Sequence, residues 1–348
     1  MKILRALHKV SLGNDLDEDE MGDVFEEIMS GEVDDNHLVD FLTALKEKGE
    51  SVSEITGAAK LMRKKAATIN VTGDNIVDTC GTGGSGLDTF NISTTAAFVV
   101  AGAGIKVAKH GNRAVSSSSG SADVLECLGV DITADNAVME KCIEEIGIGF
   151  LFAPNIHKAM KHAINARKVV GRSIFNLLGP LTNPAKVTGQ VLGVYDAKWT
   201  TPMAEVLKNL GRKRAMVVHG MDGMDEITLT HETKISELRD GKVKEYVIDP
   251  GDFNMGLCEL DKLFGGSPQE CAAMIMGILT GFHGRKRDIV LINAAAGIVV
   301  GGMADDLKKG YHIARNALDC WSARDKLIKL GEMSFSAPME EKDDGNSG

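Results

Sequence analysis

Apolar positions recur at helical spacing through the first seventy residues and then change rhythm. Met21, Val24, Phe25, Ile28 and Met29 fall three or four apart, which places them on one face of a helix from Asp17 to Met29. Acids fill its first turn, and Gly31 follows its end. Leu38, Phe41, Leu42 and Leu45 repeat the pattern up to Gly49, and the capping box Ser51-Val52-Ser53-Glu54 opens a third helix that runs to about Ala67. These short helices predict an all-helical lobe, which serves oligomer contacts, a lid, or simply extra packing.

From Asn75 onward the pattern alternates strand, turn and helix. Ile76-Val77 reads as a short strand, Thr94 to Val100 as a helix capped by Ser93, and Ile105 to Ala108 as the next strand. Ala122 to Leu128 and Ala134 to Ile146 read as helices, Ile148 to Phe152 as a buried strand, and His157 to Val170 as one helix. Arg172 to Pro184 is apolar with two prolines and predicts a short helix and a rigid loop. Val191 to Tyr195 and Arg214 to His219 are predicted strands flanking a helix from Pro202 to Leu210. The remainder reads as mainly helical, over Pro268 to Phe282, Ile289 to Val300 and Leu307 to Leu318, before a polar, frayed tail from Pro338 to Gly348. The fold class is therefore α/β, a small all-helical lobe beside a larger α/β domain.

The chemistry lies at the junctions of the alternating region. Asp78-Thr79-Cys80-Gly81-Thr82-Gly83-Gly84-Ser85-Gly86 stands between strand and helix, followed by Phe90-Asn91-Ile92-Ser93-Thr94. Glycines let a backbone approach an anion with its N–H groups inward, and the helix start adds partial positive charge. The spacing matches neither a P-loop nor G-x-G-x-x-G. By itself the stretch means a phosphate cradle or a tight turn without ligand.

A second loop, from Lys109-His110-Gly111-Asn112-Arg113 through the serine run to Ser121, leaves the next strand. Loops of successive strands converge beyond the carboxyl ends of an open α/β sheet. Alone, the serine run equally reads as a flexible linker. Asp225-Glu226, after the Arg214 strand, offers the adjacent carboxylates that a diphosphate-bound Mg²⁺ uses, or else an ordinary surface pair. Arg167, on spacing alone, reads as a solvated or salt-bridged helix residue more often than as a ligand. His219 and His231 lack zinc-site spacing and read as structural or solvent-facing.

Composition narrows the partners. With 39 Lys+Arg against 49 Asp+Glu the net charge is −10, which argues against nucleic acid or an anionic membrane. The six cysteines lie far apart with no C-x-x-C pair, so they read as reduced core residues rather than a zinc or disulfide framework. No apolar stretch reaches membrane-spanning length, and a soluble, cytoplasmic protein is expected.

Five stretches in order are similar to the anthranilate phosphoribosyltransferase family of tryptophan biosynthesis. They are Gly81-Thr82-Gly83-Gly84 with Thr89 to Thr94, Lys109 to Arg113, Phe150-Leu151-Phe152-Ala153-Pro154, Ile174 to Pro184, and Asp225-Glu226. The resemblance covers nearly the whole chain. It implies a helical lobe of residues 1–72 joined by about 170–190, an α/β domain of 73–169 and 191–337 with a central, mostly parallel sheet, and homodimers meeting through the lobe.

The reaction it implies is attack of the anthranilate amine on C1 of phosphoribosyl diphosphate (PRPP), with diphosphate leaving and Mg²⁺ required. Carried over, the PRPP site takes in Gly81, Gly84, Ser85, Thr89, Asn91, Ile92, Ser93, Thr94, Lys109, His110, Gly111, Asn112, Arg113, Ala114, Val115, Ser116, Ser117 and Ser121. The anthranilate site takes in Gly81, His110, Asn112, Arg167 and Pro180, and Ser93, Asp225 and Glu226 hold the metal.

Three positions depart from the family pattern: Ser85 stands where Asp is usual, Lys158 where Pro follows His157, and Ser118 where a basic residue is common. They bear on contacts within the site, not on the reaction class. Competing readings are a nucleic-acid-binding paralogue, a pyrimidine nucleoside phosphorylase and a catalytically silent metabolite sensor. The negative charge opposes the first, the Phe175 to Pro184 motif the second, and Ser85 alone supports the third.

Overall fold

The computed structural model describes residues 1–114 and 118–336, so Val115, Ser116, Ser117 and the tail lie outside the described residues. Helices α1 (Lys2–Ser11), α2 (Glu18–Ser30), α3 (Asp35–Lys48) and α4 (Val52–Lys65) open the chain. Asp17 and Glu20 form a capping box at α2, as Ser51 and Glu54 do at α4, and Gly31 ends α2 in the left-handed region at φ 73°. Phe25, fully buried on α2, meets Phe175 with ring centroids 5.6 Å apart. Phe25→Ala is expected to cost about 3–5 kcal/mol, read as a lower urea midpoint, because the cavity joins two helices that cannot both close on it.

The α/β part continues with β1 (Ile76–Gly81), α5 (Ile92–Gly102), β2 (Lys106–Gly111), α6 (Ser121–Cys127), α7 (Asn136–Glu145) and β3 (Ile148–Phe152). Then come α8 (Ala153–Ile156), α9 (Ile164–Val170), α10 (Ile174–Leu181), β4 (Gly189–Gly193), α11 (Thr200–Asn209) and β5 (Arg214–Gly220). Strands β6 (Thr233–Arg239) and β7 (Lys242–Ile248) precede α12 (Pro268–Leu279), α13 (Arg285–Val300), α14 (Leu307–Asp319) and α15 (Ser322–Ser334). The seven-stranded sheet has the order β3-β2-β1-β4-β5-β6-β7, parallel from β3 to β5 and antiparallel beyond. The sheet grows outward in both directions from β1, so a crevice opens at the carboxyl ends of β1 and its neighbours.

Several expectations change. The helix expected from His157 to Val170 is broken: His157 leaves helical dihedrals at φ −110°, ψ 58°, a 3₁₀ turn runs over Lys158–Ala163, and only α9 is α-helical. The break lets the His157 ring pack edge-on against His110, centroids 5.1 Å apart. The region after β5 is not simply helical. Asp240 and Gly241, at φ 51° and 73°, make the two-residue turn of a β6–β7 hairpin. The cysteines are all free, but Cys127 and Cys320 are exposed rather than core residues.

Two hydrophobic clusters divide the interior. One joins α5, α13 and the flanking helices to one sheet face. The other joins α1–α4, α9 and α10 to α11 and to Leu192, Ala215 and Val217 on the opposite face. Helix α11, expected within the α/β domain, therefore shares its core with the lobe. Arg63 of α4 ties the same elements, donating to the Leu181 carbonyl at 2.6 Å and the Leu210 carbonyl at 3.1 Å.

Candidate active site

The glycine loop leaves β1 with Gly83, Gly84 and Gly86 at φ 63°, 79° and 74°, dihedrals that side-chain-bearing residues rarely adopt. Thr82 N donates to the Gly193 carbonyl at 2.9 Å and Gly83 N to Asp225 Oδ2 at 3.1 Å. Among the described residues the N–H groups of Gly84, Ser85 and Gly86 meet no acceptor. Three consecutive unclaimed donors are available to receive an anion. The Ser85 hydroxyl accepts from Leu87 N at 3.4 Å, and its nearness to Asp225 opposes the upward shift of that carboxyl.

Helix α5 starts at Ile92, two residues before the expected start, so Ser93 is not its cap. The physical reason is long-range: Glu226 Oε1 accepts from Ser93 N at 3.1 Å and so serves the helix start from another element. Thr94 is buried in the first turn, and Ile92 has a buried side chain and can offer only backbone. Asn91 braces the second loop, donating to the Ser119 carbonyl at 3.1 Å, and Thr89 pairs with Phe264 in an isolated bridge. Ser118 N donates to Asp88 Oδ1 at 2.9 Å, and its hydroxyl also bonds to that carboxylate.

Strand β2 continues through Gly111, so Lys109 and His110 are strand residues rather than loop residues. Lys109, buried, donates to the Thr79 carbonyl at 2.6 Å. Burial lowers its pKa, and Asp78, Cys80 and Glu226 oppose that shift. Asp78, fully buried, has its pKa raised by burial, although it accepts from Asn183 Nδ2 at 2.8 Å and from His110 N at 3.2 Å. Burial and the neighbouring His157 push His110 down to about 3, so its ring is neutral. The Gly179 backbone beside the ring opposes that shift, and Nε2, itself buried, has no partner among the described residues.

The second loop contributes less free charge than its sequence suggests. Arg113 is ion-paired to Asp123 at 2.9 Å and Glu126 at 2.5 Å, which holds its pKa above the ordinary arginine value and fastens the loop to α6. Ala114 N donates to Asp123 Oδ2 at 2.8 Å, and Ser121 Oγ to the Asn112 carbonyl at 3.2 Å. The exposed Asn112 side chain accepts from Arg113 N at 2.8 Å. A Cβ on Gly111 would overlap Ser121 Oγ, so the loop base requires glycine.

The carboxylates come from the loop after β5. Asp225 and Glu226 are half-buried, both with raised pKa values, Glu226 to about 8, from burial and, for Glu226, the charge of Asp225. Lys109 offsets only part of that repulsion. This donor set fits a hard divalent cation, which would relieve the repulsion and take its other ligands from water and substrate oxygens. Among the described residues no group of three or more metal-ligating side chains stands together. Gly193 backs the pair: a Cβ there would overlap the Asp225 carbonyl. Gly193→Ala is expected to shift Asp225 and cut turnover about a hundredfold. Turnover at the parent level would contradict that packing.

Arg167 comes from α9, half-buried, with its guanidinium 5.3 Å from the Phe175 ring centroid. The guanidinium has no ion pair or hydrogen bond among the described residues, and burial lowers its pKa. An unpaired, partly desolvated arginine is a ready partner for a carboxylate. Pro180, buried within α10, stands one residue past Gly179, whose backbone lies by the His110 ring. His219 is structural, with Nδ1 bonded to the Val194 carbonyl at 2.7 Å, and His231 is exposed. Motifs took in Asp78 and Asn183 without giving them a role, and did not mark His157 or Arg172, whose partners His110, Gly84 and Tyr195 come from distant segments.

Residues 73–324 match the glycosyl transferase family, a/b domain, and residues 4–66 the helical bundle domain of the same family. The anthranilate phosphoribosyltransferase of Alkaliphilus metalliredigens is 52% identical over 331 residues, 95% of this chain and 98% of that one. Among solved structures, anthranilate phosphoribosyltransferase from Thermus thermophilus superposes with a TM-score of 0.90 at 41% identity, covering 95% of this chain and 99% of that one. The Saccharomyces cerevisiae enzyme in complex with PRPP and Mg superposes at 0.87 with 27% identity, covering 95% and 97%. Sequence identity across both domains, the shared fold and the converging loops together mean that this chain belongs to the anthranilate phosphoribosyltransferase family.

Proposed function

We propose that this protein transfers the phosphoribosyl group of PRPP to anthranilate, giving N-(5-phosphoribosyl)anthranilate and diphosphate in tryptophan biosynthesis. The observations that carry this reading are unclaimed loop N–H groups, a repelling carboxylate pair bonded to that loop through Gly83, and, on α9, a guanidinium with no ionic partner. As C1–O breaks, negative charge moves onto diphosphate. The Gly84 to Gly86 amides, the start of α5 and Lys109 are placed to receive it.

Arg167 grips the anthranilate carboxylate with two N–H groups. Neutral His110, its buried ring packed on His157, would form part of the wall beside the anthranilate. The amine is already neutral, and no side chain is assigned as general base. Asp225 and Glu226, with Ser93 beside them, would hold Mg²⁺, which when bound neutralises diphosphate charge.

Arg113 and Asn91 serve the same site as loop braces, supported by their ion pairs and hydrogen bonds. The two-domain division is supported by the two core clusters, with α11 on the lobe side. A homodimer through the lobe is supported by exposed Leu4 and Leu12 on and beside α1. Action in the cytoplasm, without nucleic acid or membrane as partner, accords with the acidic charge, and no described helix is long and apolar enough to cross a membrane. Loss of anthranilate fluorescence on adding PRPP, with and without Mg²⁺, tests the reading. Mg²⁺-dependent consumption is expected, and no consumption by folded protein would overturn it.

A further inference from the structure

Arg172, between α9 and α10, reaches across to the glycine loop. Its Nη2 donates to the Gly84 carbonyl at 2.6 Å, and its guanidinium lies over the Tyr195 ring, 4.2 Å from the centroid. Tyr195 is fixed at both ends: its N–H donates to Thr82 Oγ1 at 3.1 Å, and its hydroxyl accepts from Trp199 Nε1 at 3.0 Å. The stacked arginine therefore has a rigid platform, itself bonded to the loop it serves.

A trans peptide is planar, so its C=O and N–H point in opposite directions. Drawing the Gly84 carbonyl onto Arg172 turns the Ser85 N–H the other way. That N–H and its neighbours on Gly84 and Gly86 are the three that meet no acceptor among the described residues. Gly84, at φ 79°, has no side chain to restrict its ψ, so on that side the peptide is held by its contacts rather than by an intrinsic preference. Turned over, it would present a carbonyl oxygen to a diphosphate.

We infer that Arg172 is a positioning residue for the diphosphate. It holds the Gly84 carbonyl out of the cradle so that the Ser85 amide faces in. Because it follows Arg167 by five residues on the same segment, it also joins the diphosphate loop to the element that carries the anthranilate grip. The inference rests on the PRPP reading of the loop.

The test compares parent protein, Arg172→Ala, Tyr195→Leu and the double variant. Arg172→Ala is expected to raise the Michaelis constant for PRPP about tenfold, with that for anthranilate within about twofold and the unfolding midpoint unchanged. Tyr195→Leu is expected to raise the PRPP constant less, and to add nothing in the Arg172→Ala background, because both act through one contact. An unchanged PRPP constant, equal rises for both substrates, or additive effects of the two substitutions would overturn the inference. Calorimetric titration with PRPP alone reads the same contact without turnover: about tenfold weaker binding by Arg172→Ala supports it, and equal affinity refutes it. A parent protein that binds PRPP but does not consume anthranilate would count against the proposed function only, and one that binds no PRPP would sink both.

Discussion

Replacing Arg167 with alanine is expected to raise the Michaelis constant for anthranilate by about one to two orders of magnitude, while that for PRPP moves by no more than about twofold. The guanidinium has no carboxylate of its own, stands over Phe175 at 5.3 Å, and is already partly stripped of water. Much of the cost of desolvating a carboxylate-binding cation is therefore met before the substrate arrives, so the substrate gains a charge-assisted pair at low cost. Arg167→Lys keeps the charge and loses the planar fork, and is expected to fall between parent and alanine. Steady-state kinetics with each substrate varied in turn reads the difference. Equal effects on both constants would remove Arg167 from the anthranilate site.

The second large effect is expected from Asp225→Asn with Glu226→Gln. Turnover should fall about a thousandfold and should no longer respond to Mg²⁺ in the range that saturates the parent. An unaltered metal titration would refute the assignment. The same substitutions are expected to stabilise the metal-free fold. Burial and mutual repulsion raise the Glu226 pKa from the ordinary 4.5 to about 8, so the folded state favours the protonated acid more than the unfolded chain does. A carboxyl shifted upward loses stability as pH rises from about 4.5 to about 8. Amides carry no such penalty, so the gap in unfolding midpoint between variant and parent should widen across that window. A folded, more stable and inactive protein is the signature of a functional site held at a cost in stability.

Much of the site was legible because the motifs are contiguous. Gly83, Gly84 and Gly86 lie between strand and helix in the sequence and in the fold, and the capping boxes at Ser51 and Asp17 act within four residues. The β6–β7 hairpin was legible in principle, since Asp240-Gly241 stands between two short runs carrying Ile235 and Leu238 on one side and Val243, Tyr246, Val247 and Ile248 on the other, but a helical reading of the remainder passed over it. Arg113 shows a different limit. Its type and place suggested a free cation in the cradle, and two acids on α6 claim it. Residue type proposes a partner, and competition among all available partners decides.

From the sequence alone came the helical lobe, the strand–turn–helix rhythm, the two anion-facing loops and the carboxylate pair, because propensity, capping and turn chemistry act over a few residues. Only the tertiary structure decided which of these groups are spent and which remain free. Glu226 claims the Ser93 amide across 133 positions, Asp225 the Gly83 amide across 142, and Arg172 the Gly84 carbonyl across 88. Those contacts depend on the register of β1, β4 and β5 and on the seating of α9 and α10 against them. A few ångströms of packing separate a bonded donor from a free one, and no local pattern along the chain carries that distance.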